Sequence, residues 1–417
     1  MARPRGYVRE KRPGHWEVSV PAPGGGRRQE TVVGSRKDAE RKRTELLREL
    51  DTQTLADPSR LTVGEYLQRW LADYAEPRLK PQTVRGYRRI IEVHLTPALG
   101  ATQLQRLTPL QLQHYYTQAQ KGRDGRGPLA GTTVLQHHHI LHTALRQAVR
   151  WRLLTVSPAD GVEPPRRGHR EMLALTPRQA ILLLETARPH SLYVPIALAL
   201  FAGMRRGEVF GLRWSDLDLV TGYLRVSRSL DYTAGTPTFG APKSERSRRR
   251  FRLPENLVEI LRWHQEQQTA LRVMAGEAYN DHGLVCCLED GRPRCHAVNT
   301  MFTRILVQRQ CPECGKIAVQ RNSKAPQWVC RETVGGCGAK FPLADARMKE
   351  PALPRIRFHD LRHTNATLLA YAKVNARVIS ERLGHASVAF TMQTYGHVLE
   401  EMDQDAAQKL DDLLGGR

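Results

Sequence analysis

A chain of 417 residues is too long for one small domain and at roughly 150 residues per domain predicts two to four folded units. Its 64 Lys and Arg against 42 Asp and Glu leave a formal net charge of +22, which points to a polyanionic partner, nucleic acid first. The sequence has no apolar run long enough to span a bilayer, no signal-peptide-like core and no basic amphipathic anchor, so a membrane partner is excluded and a soluble protein of the cytoplasm is expected.

Between Gly6 and Val33 the apolar residues alternate, as at Trp16, Val18 and Val20 and again at Thr31 and Val33, with Pro21 to Gly26 supplying a turn. Ser35 followed by Asp38 reads as a capping box, and Ala39, Leu46, Leu47 and Leu50 fall near one helical face. Residues 1–55 are therefore expected to form a small three-stranded sheet with one helix. Residues 61–165 read as all-helical. Pro81 opens a helix with Val84, Tyr87, Ile91 and Leu95 on one side and Arg85, Arg88 and Arg89 mostly on others. A second long helix follows Gly131, with Thr132 as its expected N-cap and Val134, His138, Leu141, Leu145 and Ala148 at helical spacing. The run His137, His138, His139 is not read as a metal site, because consecutive helical residues point about 100° apart and cannot converge on one ion.

Pro164, Pro165, Arg166, Arg167 and Gly168 form a stiff basic link, taken as a domain boundary. Beyond it, residues 170–417 are expected to form a mixed, mainly helical domain with a small sheet. Thr176, Pro177 and Gln179 mark a helix start, and Ile181 to Leu184 and Val194 to Phe201 are expected in the core. Tyr223 to Ser227 and Arg250 to Leu253 alternate like strands, separated by a Gly- and Pro-rich loop with Lys243 just before the second strand.

Six residues scattered over this half carry chemistry through their contexts. Arg205 lies in Gly203-Met204-Arg205-Arg206-Gly207-Glu208, a glycine-broken turn that holds a guanidinium at the mouth of a helix. His359 and Arg362, in His359-Asp360-Leu361-Arg362-His363-Thr364, share a helix face. Lys243 stands in a Pro-Lys-Ser segment, His385 follows Leu383-Gly384, and Tyr395 stands in Thr394-Tyr395-Gly396-His397-Val398. These five segments, in this order and with the tyrosine near the C-terminus, resemble the tyrosine recombinases, or phage integrases, over residues 61–417. Residues 1–55 resemble, in pattern and basicity, the arm-type DNA-binding domain of many integrases.

The resemblance implies a multidomain α+β protein. It would contain an arm-type domain at 1–55, a core-binding, SAM-like helical domain at 61–165 and a catalytic domain at 170–417. It implies a site-specific recombinase that cuts and rejoins DNA through a 3′-phosphotyrosyl link, integrating or excising a phage or mobile element. Tyr395 is the implied nucleophile. Arg205 and Arg362 clamp the phosphate, because planar donor forks match its oxygens at any physiological pH. His359 accepts the tyrosine proton, Lys243 protonates the leaving 5′-oxygen and His385 completes the clamp. Double-stranded DNA at attachment sites and a homotetramer are the implied partners, with room for a directionality or DNA-bending protein; no ATP, cofactor or catalytic metal is implied. Glu208 is expected to brace the site. The run Arg246, Arg248, Arg249 and Arg250 reads equally as a DNA-lining or a solvated face. The acidic-then-apolar segment Leu399–Leu414 reads equally as a tail docking on a neighbouring protomer or a helix packing on its own domain.

Cys311, Cys314, Cys330 and Cys337 depart from the usual family pattern. A CxxC knuckle followed by two further thiols suits a structural, tetrahedral Zn²⁺, so 308–355 is expected to be an inserted zinc-ribbon-like module; reduced thiols in a flexible loop are the alternative. Cys286 and Cys287 are expected in the core, and Cys295 beside His296 is unassigned. Two other functions fit parts of the pattern: a type IB topoisomerase-like enzyme sharing the phosphotyrosine chemistry, or a non-catalytic DNA-binding regulator. A metal-dependent nuclease would need a carboxylate cluster, which the sequence does not offer.

Overall fold

The structure, a computed structural model, describes residues 6–21, 26–51, 60–122, 127–168, 173–233, 236–241, 247–294, 297–322, 325–345, 347, 351 and 353–384. The chain divides into two compact units, Met1–Arg170 and Glu171–Arg417; the fold is mixed α/β with several small sheets.

In the first unit, β1 (Tyr7–Arg12), β2 (His15–Pro21) and β3 (Arg27–Val33) form an antiparallel sheet in that order. Strand β2 pairs on both sides, Val18 lying opposite Val8 and Glu30. The alternation at Val18 and Val20 supplies a buried stripe, which Ala39 and Leu46 of α1 (Arg36–Asp51) cover. Asp38 accepts from the Ser35 backbone N–H at 3.0 Å, closing the helix start; the Leu50 side chain lies outside the described residues.

Helices α2 (Val63–Trp70), α3 (Pro81–Ile90), α4 (Thr96–Leu99), α5 (Pro109–Lys121) and α6 (Gly131–Arg150) enclose a second core. Helices α2 and α3 each run on into a π-helical turn, at Leu71–Ala75 and Ile91–Leu95, which keeps Leu71, Ile91 and Leu95 facing inward. Thr132 is not the N-cap of α6. The helix begins at Gly131 after Ala130, which makes no side-chain cap, so Thr132 lies inside the first turn. His137 and His138 are buried and bond the hydroxyls of Tyr115 and Tyr116 on α5, at 2.8 and 3.1 Å. Two consecutive helical residues thus meet two separate partners.

In the second unit, α7 (Pro177–Ala187) starts on the Thr176–Gln179 capping box and α8 (Tyr193–Ala202) is the buried centre. Ile181 departs from expectation: it is exposed, while Leu183 faces the core. After α9 (Arg206–Gly211), strands β4 (Leu217–Asp218), β5 (Tyr223–Val226) and β8 (Arg249–Arg252) form an antiparallel sheet. The stretch read as a loop contains a second hairpin, β6 (Ser229–Thr233) and β7 (Thr236–Gly240), hidden from sequence by its proline and glycine content. Helices α10 (Glu255–Ala275) and α11 (Val298–Leu306) follow. A four-stranded antiparallel sheet comes next, with β9 (Arg309–Gln310), β10 (Ile317–Arg321), β11 (Gln327–Cys330) and β12 (Lys340–Pro342) in sequential spatial order. Leu353, Ile356 and Phe358 return the chain to the main core, and α12 (Asp360–Tyr371) and α13 (Ala376–Leu383) complete the described unit. Among the described residues no helix is long and apolar enough to cross a membrane.

Candidate active site

The site is built around the end of α13. A helix C-terminus leaves carbonyls without intrahelical donors and concentrates partial negative charge there. Three successive carbonyls of this end are each taken by a different arginine. Arg249 Nε donates to Arg382 O at 2.7 Å, Arg362 Nη2 to Leu383 O at 2.5 Å and Arg205 Nη2 to Gly384 O at 3.0 Å. Gly384 has φ of 65°, a left-handed position that glycine occupies without strain and that ends the helix.

Each arginine is also held from behind. Arg205 follows Gly203, whose φ of 62° ends α8, and stands at the N-cap of α9. Glu208 Oε2 accepts from the Arg205 backbone N–H at 3.0 Å and from Arg249 Nη2 at 2.8 Å, and its Oε1 accepts from Arg205 Nη1 at 2.9 Å. Glu208 is buried, which alone would raise its pKa, but Arg249 and then Arg205 outweigh burial and hold the carboxyl below its ordinary value. It therefore stays ionised and braces two guanidiniums. Arg205 Nη1 also reaches Ser247 Oγ at 3.2 Å.

Arg362 is 3% exposed and donates Nη1 to Gly203 O at 2.7 Å. Asn365, one turn further along α12, donates to Leu200 O at 2.7 Å and Phe201 O at 3.2 Å, tying α12 to the last turn of α8. A Cβ on Gly203 would meet Leu383 Cδ2 at 2.4 Å and Asn365 Oδ1 at 2.7 Å, so this crossing admits no side chain there. His359 immediately precedes α12, and its pKa is pushed down to about 4, first by burial, then by the positive fields of His363 and Arg362. It is neutral at neutral pH and able to accept a proton. Asp360 bonds Arg357, its backbone N–H donating at 2.7 Å and its Nη2 at 2.8 Å, fixing the entry to the helix.

Of the six residues singled out in sequence, the structure brings Arg205 and Arg362 to the same turn and sets His359 at the start of the helix bearing Arg362. Lys243, His385 and Tyr395 lie outside the described residues, as do Arg246, Cys295, His296 and Leu399–Leu414. Sequence reasoning missed Asn365 altogether and missed the inward role of Arg249, which it read only within a DNA-lining or solvated run. The signal for Arg249 was strand parity: it shares a side of β8 with Phe251, whereas Arg248 and Arg250 are exposed. Beside this turn lies an open groove of about 860 Å³, lined by Arg248, Arg249, Arg250, Arg377 and Arg382 together with Glu381, a surface suited to a polyanion.

The four cysteines of the β9–β12 sheet form a second cluster. Cys311 and Cys337 have their sulfurs 3.8 Å apart, Cys314 and Cys330 3.7 Å apart, and all four lie within 4.8 Å of one another. They are free thiols, a group that could hold a metal ion. Turns at Gly315, Gly335 and Gly338, all with positive φ, bring the two halves together, and Cys337 N–H donates to Cys330 Sγ at 3.3 Å. Cys286 is core, as expected; Cys287 is only half-buried, its sulfur accepting from Gln268 at 2.7 Å.

Comparison with known proteins bears on both units. Residues 62–119 match the family model described as phage integrase, N-terminal SAM-like domain, and residues 332–402 match that of the phage integrase family. The chain is 24% identical to a "Tyrosine recombinase XerC-like" protein of Caldanaerobacter subterraneus over 93% of this chain and 92% of that one. It is 24% identical to the ICEBs1 integrase of Bacillus subtilis, over 98% of this chain and all of the relative. The Tn1549 transposon integrase, solved in complex with a circular intermediate DNA, aligns with a TM-score of 0.61 at 16% identity, over 84% of this chain and 99% of that one. Lambda integrase, solved as a tetramer bound to a Holliday junction, aligns at 0.51 and 17% identity over 94% of both chains.

A SAM-like segment followed by a phage-integrase catalytic segment, on this fold, defines an enzyme of the tyrosine recombinase class. Within that class, the matched segments and the relatives over most of the chain's length are similar to the phage integrases.

Proposed function

We propose that the protein is a site-specific DNA recombinase, an integrase that cleaves and rejoins DNA strands through a 3′-phosphotyrosyl intermediate on Tyr395 and so integrates or excises a mobile element. The observation that carries this reading is the convergence of Arg205 and Arg362 on the Leu383–Gly384 carbonyls, directly before His385 in the sequence.

A phosphodiester repels nucleophiles because its oxygens are anionic, and preorganised cations lower the barrier most when they are fixed before charge develops. Glu208, Gly203 and the end of α13 fix both guanidiniums, leaving them no reorganisation to undergo when phosphate arrives. The Tyr395 oxygen attacks phosphorus while its proton passes to neutral His359. The bond from phosphorus to the 5′-oxygen breaks as Lys243 donates a proton to that oxygen, and His385 hydrogen-bonds the phosphate. The phosphotyrosyl ester retains the phosphate linkage, so a 5′-hydroxyl from a second strand reverses the step without ATP or a catalytic metal.

In this reading residues 1–55 are an arm-type DNA-binding domain, 61–165 the core-binding domain and 170–417 the catalytic domain, acting as a homotetramer on paired attachment sites, with an accessory protein able to set direction. The cysteine cluster at 308–355 is a zinc-ribbon-like module. Four thiolates at about 2.3 Å from a tetrahedral Zn²⁺ would stand about 3.8 Å apart, and the sulfur pairs here are 3.8 and 3.7 Å apart. Such an ion would serve folding.

The test is covalent trapping. Wild type and Tyr395→Phe are incubated with nicked duplexes from the DNA flanking the gene and resolved in denaturing detergent. A protease-sensitive adduct in wild type alone is expected. If both proteins bind and neither forms an adduct, a DNA-binding regulator replaces the recombinase; relaxation of supercoiled DNA without exchange between two sites would indicate a topoisomerase.

A further inference from the structure

The β9–β12 sheet has a composition that its metal cluster does not explain. None of its four strands contains an Asp or Glu. Paired residues share a face, and the register places Gln320, Val329 and Lys340 in one row, with Gln327 two residues back along β11 from Val329 and Arg331 just past the end of that strand. The opposite face carries the small core, Val319, Cys330 and Phe341, with Arg309 stacked over Trp328 at 4.4 Å. One face is therefore committed to packing. The other presents amides and cations, with Lys340 exposed and Gln320, Gln327 and Arg331 half-buried.

The acids near the sheet sit in its connections. Glu313 and Asp345 both bind Arg347, at 3.1 and 2.9 Å, and Glu332 lies in the 332–334 turn. Among the described residues no carboxylate pairs with Arg321, Arg331 or Lys340. A soluble surface ordinarily mixes both signs of charge. An acid-free face of Gln, Arg and Lys instead offers the side chains that reach phosphate oxygens, with no anion to repel them.

The module is also rooted firmly. Buried Gln308 bonds His190 at 3.0 Å where the chain enters, and Phe302 meets Phe358 edge-on at 5.6 Å between the helix that leads in and the segment that leads out. Phe358 immediately precedes His359. A surface carried on such a root holds a fixed place on the catalytic unit, as a backbone contact requires.

We infer that the Gln320, Gln327, Arg331 and Lys340 face of the cysteine module contacts the DNA sugar-phosphate backbone and extends the enzyme's grip beyond the cleavage site. DNA as the partner rests on the function proposed above; the face itself is read from register and composition.

The test uses full-length, zinc-loaded protein and a long duplex, with binding measured over a salt series. Each lost phosphate contact lowers the slope of log affinity against log salt by about 0.9, so Arg331→Gln with Lys340→Gln should lower it by about 2 and weaken binding several-fold. Lys340→Arg should keep the wild-type slope. An unchanged slope in a double variant that retains its metal overturns the inference. If that variant loses its metal, Gln327→Glu takes its place: it adds a repelling charge outside the small core, and unaltered binding there is equally decisive against the face. Covalent trapping of the wild type in parallel separates the two ideas. A lowered slope without any wild-type adduct would leave the DNA surface standing and remove the recombinase; an adduct with an unchanged slope would do the reverse.

Discussion

The arginine-held turn at Arg382–Gly384 and the cysteine module both fix a few polar groups in one place, by opposite means. Around the turn, a large core of α7–α11 side chains already orders the backbone, and buried charge is added on top: Glu208 and Arg249 side chains are 3% and 6% accessible and bond each other. Among the described residues the module's own core cluster has five buried members, two of them cysteines. An apolar set of that size does not offset the conformational entropy of ordering some forty residues, so its fold needs another source of free energy. Around the turn a carboxylate bonds two of the arginines; in the module four thiols that could hold a metal ion stand together. The lesson is that similar rigidity can rest on unrelated chemistry within one unit.

The comparison breaks most visibly under chelation. A structural zinc site contributes on the order of 10 kcal/mol or more to folding. Removing metal should open the chain between Gln308 and Leu353 to limited proteolysis while the main core keeps its thermal transition. Protection that survives chelation would mean the sheet stands on its own contacts. A smaller effect is expected at the turn: Glu208→Gln leaves Arg249 buried without its counter-charge and should cost about 3–5 kcal/mol in chemical denaturation, because an unpaired buried charge is the expensive case. If the cost is under about 1 kcal/mol, the carboxylate is not the brace. The smallest effect concerns pH. His359 and His137 are held near 4 in the folded protein against 6.5 ordinarily, burial being the first cause of each. The unfolded chain therefore binds protons first as pH falls, so stability is intact above about 6.5 and is lost progressively toward 4. Urea midpoints across that window should fall, and His137→Gln should flatten part of the decline; midpoints that rise on acidification would contradict neutral, buried imidazoles.

Much of this was legible in the chain. Short-range rules placed the strands at Val18 and Val20, the capping box at Thr176 and the helix bearing Arg362, since each depends on neighbours three or four residues away; His359 stands at that helix's N-cap rather than within it. The same locality explains the failures. Thr132 looked like an N-cap because threonine often is one, but the helix begins one residue earlier, at Gly131. Ile181 looked like core because it is apolar, but the buried stripe of α7 passes through Leu183.

Sequence alone determined the order of the five motifs, the charge that calls for a polyanion and the CxxC spacing that calls for a metal, because these depend on residue identity and local geometry. Tertiary structure alone decided which arginine does what. Arg249 sits in a run of similar residues, and only packing of β8 against α13 turns it inward to Glu208 and the Arg382 carbonyl. Arg205 and Gly384 are 179 positions apart. A contact at that separation is set by how helices cross, in this case where Gly203 lets α8 and α12 approach closely, and no local pattern encodes it.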